Sequence, residues 1–117
     1  MTPKATTKSK SRGEKGNCLA AAFASILDLE IAEIPQFEEM TKETWKSELN
    51  KWASSIGINV EFTHLIPSGY CIGIGIHECG EHHAVILNDG AFYFDTNGTE
   101  KYYKEHRYCI SVTRVNT

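Results

Sequence analysis

The sequence predicts an α+β fold: two helices, then an antiparallel sheet, within one domain. Two observations carry this reading. Apolar residues recur at helical spacing up to Ile56, and beyond Gly57 the period of the pattern drops to two. Helices grouped ahead of strands suit an α+β layout rather than the βαβ alternation of a parallel sheet. The 117 residues, 41% hydrophobic and 23% charged, match the size and make-up of a single soluble globule.

Other classes are set aside by composition. No apolar run approaches the roughly 18 residues of a membrane span. The basic start is not followed by the apolar stretch of a secretory signal. Four Cys without a CxxC pair are too sparse for a disulfide scaffold, so a reducing, cytoplasmic setting is expected. Residues 1–16 hold five basic groups against Glu14 alone, a net of +4, while residues 17–117 carry a net of −7. Rich in Thr, Ser, Lys and Gly, residues 1–16 read as a flexible basic arm, and residues 17–117 as the folded domain. Five charges without interleaved aromatics, attached to an acidic body, argue against nucleic-acid binding. The expected partner is a protein or peptide substrate; no membrane, metal or cofactor is expected, and the oligomeric state is not legible.

Residues 17–29 read as a helix with Asn17 as its N-cap. Leu19, Ala22, Phe23 and Ile26 form one face, and Ala20, Ala21 and Ala24 make the other side apolar too. A slim helix that is apolar nearly all round belongs in the centre of the fold. Residues 31–37, broken by Pro35, form a turn or a short helical piece. A second helix is expected over residues 42–56, capped by Thr41 and stopped by Gly57, with Trp45, Leu49, Trp52 and Ile56 as its core stripe. The strands follow. In residues 58–63, Ile58, Val60 and Phe62 share a face; in residues 70–77, Ile72, Ile74 and Ile76 do. Gly73 and Gly75 leave the opposite face open to a close neighbour. Residues 83–87 and 91–95 form a hairpin, and residues 108–115 a last strand.

Chemistry enters at Cys18, one residue inside the start of the apolar helix. Unsatisfied amides and the helix dipole favour a thiolate there, and first-turn amides can serve an oxyanion. The structural alternative is a small core residue in line with Ala22, Ser25 and Leu29. A thiol nucleophile needs an imidazole to take its proton and a third group to orient that ring. His83, at the start of the Ala-Val-Ile-Leu strand, and Asp95, at the end of the partner strand, are the candidates. Hairpin register decides whether they can meet. A two-residue turn at Asp89-Gly90 pairs Asn88 with Ala91 and puts the two on opposite faces. A three-residue loop, with Gly90 in the left-handed slot, pairs Leu87 with Ala91 and sets His83 across from Asp95. The three-residue loop is the expectation.

These residues resemble a known group. Gly16-Asn17-Cys18 opening an Ala-rich helix, Glu33-Ile34-Pro35-Gln36-Phe37, Ser68-Gly69-Tyr70, His83-Ala84-Val85-Ile86 and the later Asp95 are similar, in chain order, to small papain-like cysteine peptidase-fold proteins. That group is related to the leader peptidases of bacteriocin exporters and occurs as stand-alone bacterial and phage domains. The resemblance spans about residues 16–98. It implies a papain-like fold with the N-terminal helix buried on an antiparallel sheet, and a hydrolase or acyltransferase acting on peptide, amide or isopeptide bonds. It also implies roles: Cys18 as nucleophile, His83 as general base and acid, Asp95 as orienter. Such proteins usually carry a Gln before the Cys as oxyanion donor; residues 1–17 contain none, so Asn17 or a first-turn amide takes that part. Where the family often follows its Asp with Pro, this chain has Thr96-Asn97.

Two further readings stay open. One keeps the fold as an inactive module that binds a partner protein. The other is a small zinc-binding adaptor, since Cys71, His77, Cys79, His82 and His83 are all ligand types, though at no standard spacing. Zinc would consume His83, so the metal and triad readings exclude each other.

Overall fold

Residues 1–5, 17–77, 80–98 and 102–114 are described in a computed structural model of the chain. The first helix, α1, covers Cys18–Leu27, two residues short of expectation because Asp28 turns left-handed at φ 57°. Asn17 stands at the N-cap position and is fully buried, but its side chain makes no capping bond; its carbonyl accepts the Ala21 amide at 2.9 Å. Two 3-10 turns, Ile31–Glu33 and Phe37–Glu39, carry the chain outward.

The second helix, α2, spans Trp45–Ser55, starting three residues later than expected. The chain already turns at Thr41, whose carbonyl receives the Trp45 amide at 3.1 Å, but residues 41–44 offer no apolar group to anchor a helical turn. Thr41 is therefore not the cap. Ile56, expected in the core stripe, is 41% exposed because it lies past the end of α2, just ahead of Gly57 at φ 76°.

Five antiparallel strands follow: β1 (Ile58–Thr63), β2 (Tyr70–Ile76), β3 (His82–Asn88), β4 (Ala91–Asp95) and β5 (Glu105–Arg114), ordered β1-β5-β2-β3-β4. One face packs on α1: Ile72, Ile74, Ile86 and Ile110 meet Ala20, Phe23 and Ala24. Phe23 also contacts Phe37 and Trp52 edge to face, with centroids 6.1 and 5.7 Å away. Ala-rich α1 lets the sheet approach closely, which sinks the helix start, and Cys18 with it, into the body of the fold. The opposite face carries Cys71, Val85, Leu87, Tyr103 and Cys109. Here the small residues of β2 find their neighbour. A Cβ at Gly73 would stand 2.7 Å from the Tyr103 hydroxyl, and one at Gly75 would run into the Tyr103 ring.

The hairpin register departs from expectation. Asn88 pairs with Ala91 across a two-residue turn, Asp89 at φ 50° and Gly90 at φ 84°, the paired left-handed geometry that tight hairpins favour. Continued regularly, this register would put Asp95 on the face away from His83. A β-bulge intervenes: Leu87 pairs with Phe92 but Ile86 with Phe94, leaving Tyr93 as the extra residue. Asp95 then sits opposite Val85, on the His83 face and diagonal to it. The expected direct pairing is wrong, and the shared face is reached by another route.

The arm expected over residues 1–16 is docked at its beginning. The Thr2 amide donates to the Ser25 carbonyl at 3.0 Å and the Lys4 amide to Ser25 Oγ at 2.8 Å, so residues 1–5 lie along α1. The remainder of that arm, residues 6–16, falls outside the described residues. Among the described residues, no helix is long and apolar enough to cross a membrane.

Candidate active site

His83 opens the run Ala84–Leu87 in the centre of β3 and is 5% exposed; Asp95, closing β4, is 1% exposed. Their side chains meet: His83 Nε2 lies 2.7 Å from Asp95 Oδ1. Two backbone amides hold the carboxylate as well, Asn97 on Oδ1 at 3.0 Å and Tyr102 on Oδ2 at 2.9 Å. Two backbone amides converging on one buried group suit an ionised carboxylate, which only accepts, so the ring nitrogen facing it must donate. Nε2 therefore carries the ring proton toward Asp95, and Nδ1 is the ring nitrogen left to accept one. The Tyr102 amide reaches the carboxylate through a left-handed residue, φ 52°, a conformation that no local pattern foretells. Thr96, standing where the resembling family often has Pro, is fully buried, and its hydroxyl donates to the Ala84 carbonyl at 2.7 Å. That bond ties the residue after Asp95 to the residue after His83. His77 packs its ring edge-on against His83, centroids 5.5 Å apart.

Cys18, the first residue of α1, lines a cavity of about 500 Å³ that His83 also lines, together with Ala84 and Ile74 from the sheet. No hydrogen bond joins the Cys18 sulfur to His83 among the described residues; the thiol is instead within reach of the Ala84 backbone. The thiol pKa is pushed up to about 11, burial being the largest cause. The lowering expected at a helix start is present, through the Leu19 and Cys18 amides, and the Ala84 backbone of β3 adds to it, but burial outweighs them. In the resting protein Cys18 is a thiol.

No family model, curated protein or solved structure matches this chain. The site stands on its own geometry.

Sequence reading missed Glu38. From the second 3-10 turn it reaches the start of α1, where its Oε1 accepts the Ala20 amide at 3.4 Å, and it shares the cavity with Cys18. Its charge adds to the upward push on the thiol. One of two adjacent Glu after Phe37 carries no motif, and only the path of the 31–40 segment brings it here. Trp45, expected as core alone, packs on Phe62 with centroids 5.8 Å apart and also forms a cavity wall. Asn17, the oxyanion candidate, is buried beside Cys18 and is not among the residues lining the cavity.

The proposed zinc ligands divide. Cys71 is fully buried on the outer sheet face beside Cys109, away from α1. His83 is engaged by Asp95, and Cys79 lies outside the described residues. Among the described residues, no three His, Cys, Asp or Glu side chains gather as a metal site would require.

Proposed function

We propose that the protein is a papain-like thiol hydrolase or acyltransferase that acts on peptide, amide or isopeptide bonds. The observation that carries this reading is the 2.7 Å contact between buried His83 and Asp95 beside the cavity that holds Cys18. An imidazole oriented by a carboxylate is the arrangement a thiol nucleophile requires.

With the thiol protonated at rest, the chemistry begins with general-base assistance rather than a stored thiolate. As Cys18 Sγ attacks the acyl carbon, its proton passes to His83 Nδ1, and Asp95 offsets the charge that forms on the ring. The carbonyl π electrons move to oxygen, which draws on the amides at the start of α1. Collapse expels the amine, which takes the proton from His83 and leaves a thioester on Cys18. Water or a second amine then attacks the thioester, its proton returning through His83 to the departing sulfur. Deamidation of a Gln side chain would follow the same path.

A second reading has one observation in its favour: a thiol held near pKa 11 is a poor nucleophile until something changes its surroundings. On that reading the fold is a non-catalytic module that binds a partner protein. Incubation with a small activated ester, followed by intact mass measurement, separates the two. The enzyme reading expects an acyl adduct on Cys18 that forms much more slowly in His83→Ala. No adduct, or equal adduct in His83→Ala, supports the binding module.

A further inference from the structure

The cavity at Cys18 holds a carboxylate that the proposed reaction leaves unused. Glu38 Oε1 accepts the amide of Ala20, in the first turn of α1. That amide is one of the helix-start donors without an intrahelical acceptor, at the positive end of the helix dipole. The helix amides within reach of the Cys18 sulfur are those of Leu19 and Cys18, and the Ala20 amide follows them at the same end of α1. Carboxylate and oxyanion are like charges seeking the same end of α1, and at short range they repel. Among the described residues, the other charged or titratable groups facing this cavity are Cys18, His82, His83 and Tyr108, with the exposed Lys42 and Lys46 also on its lining.

Resting on the thiol-acyl reading above, we propose that Glu38 is a positioning residue of this site: its carboxylate occupies the Ala20 amide at rest and leaves it when an acyl carbonyl is attacked. Lys42 and Lys46 offer the displaced carboxylate a place on the cavity lining. In the resting state Glu38 also stands against ionisation of Cys18, so the same departure that frees the Ala20 amide eases loss of the thiol proton.

The test compares the full chain with Glu38→Gln, which keeps an oxygen acceptor but drops the charge, and Glu38→Ala, which empties the position. Two readouts serve: the pH profile of Cys18 alkylation by iodoacetamide, and affinity for a short peptide aldehyde. The aldehyde adds to the thiol with formation of an S–C bond and opening of the carbonyl π bond, the thiol proton passing to His83 and the negative charge to the former carbonyl oxygen. Both variants are expected to move the alkylation profile to lower pH and to raise the rate at neutral pH by about three- to tenfold. Aldehyde affinity is expected to rise by about tenfold in Glu38→Ala and by less in Glu38→Gln. Unshifted profiles overturn the proposal, and so does unchanged aldehyde affinity even where alkylation accelerates. A His83→Ala variant run alongside separates the two ideas. If it is slowed while the Glu38 variants match the native chain, the assignment of Glu38 alone fails. If it equals the native chain, the thiol–imidazole reading fails first.

Discussion

Asp95 Oδ1 lies 2.7 Å from His83 Nε2, although the two residues are not partners in the β3–β4 ladder. The Tyr93 bulge lets a tight two-residue turn coexist with a carboxylate on the histidine face. The contact is buried on both sides, so it is costly to break from either. Asp95→Ala would strand the ring and the Asn97 and Tyr102 amides together; a loss of about 2–4 kcal/mol is expected in urea unfolding. Asp95→Asn keeps one acceptor but turns an NH₂ toward a donor, and should cost about 1–3 kcal/mol. Equal stability of the native chain and Asp95→Ala would contradict this arrangement.

Thr96 offers a gentler test of the same corner. Thr96→Val keeps the shape and leaves the Ala84 carbonyl without the hydroxyl that donates to it at 2.7 Å. A loss of about 1–2 kcal/mol is expected, with Thr96→Ser retaining most of the native stability. Val and Ser variants of equal stability would show that the hydroxyl contributes little.

Gly73 and Gly75 should respond differently to an added methyl. At Gly73 the obstacles are the Tyr103 hydroxyl and the end of Leu87, side-chain atoms able to shift. At Gly75 they include the Glu105 backbone carbonyl as well as the Tyr103 ring, and the backbone cannot easily yield. Gly75→Ala is therefore expected to cost about 2–3 kcal/mol or more, and Gly73→Ala about 1 kcal/mol. Thermal unfolding of the two variants checks the order, and a reversed order would contradict the packing of Tyr103 on β2.

Alkaline pH should weaken the fold. Burial raises the thiols of Cys18 and Cys71 from 9.0 to about 11 and about 12, and raises the Tyr103 phenol in the same direction. A folded-state pKa above the unfolded value contributes stability that is complete below about pH 9 and is lost as pH rises toward the folded value. Urea midpoints should therefore fall between about pH 8 and about pH 10.5, and fall less in Cys71→Ala. A midpoint independent of pH across that interval would show these groups to be better solvated than their burial implies.

Much of this was open to sequence reading, and the failures have physical causes. The slim apolar helix, the period-two strands and the open glycine face of β2 follow from local pattern, because each is written in consecutive side chains. Cys18, His83 and Asp95 stood out for residue type and position; the structure brings His83 and Asp95 into contact, and Cys18 and His83 line one cavity. The hairpin register was misread because a bulge is a tertiary choice: nothing in Phe92-Tyr93-Phe94 says which residue is extra. The thiol's ionisation was misread because a helix start lowers a pKa locally, whereas burial, the larger effect here, depends on the whole fold. Glu38 and Tyr103 were invisible for a similar reason. Each reaches its place through a loop path rather than a periodic pattern.

The central claim is that His83 takes the Cys18 proton. The most direct measurement is the alkylation rate of each thiol at neutral pH, resolved by mass spectrometry, in the native chain and in His83→Ala. Cys18 is expected to react ahead of the fully buried Cys71 and Cys109, and to slow by about tenfold or more in His83→Ala. A Cys18 rate that is unchanged without the imidazole would contradict the claim.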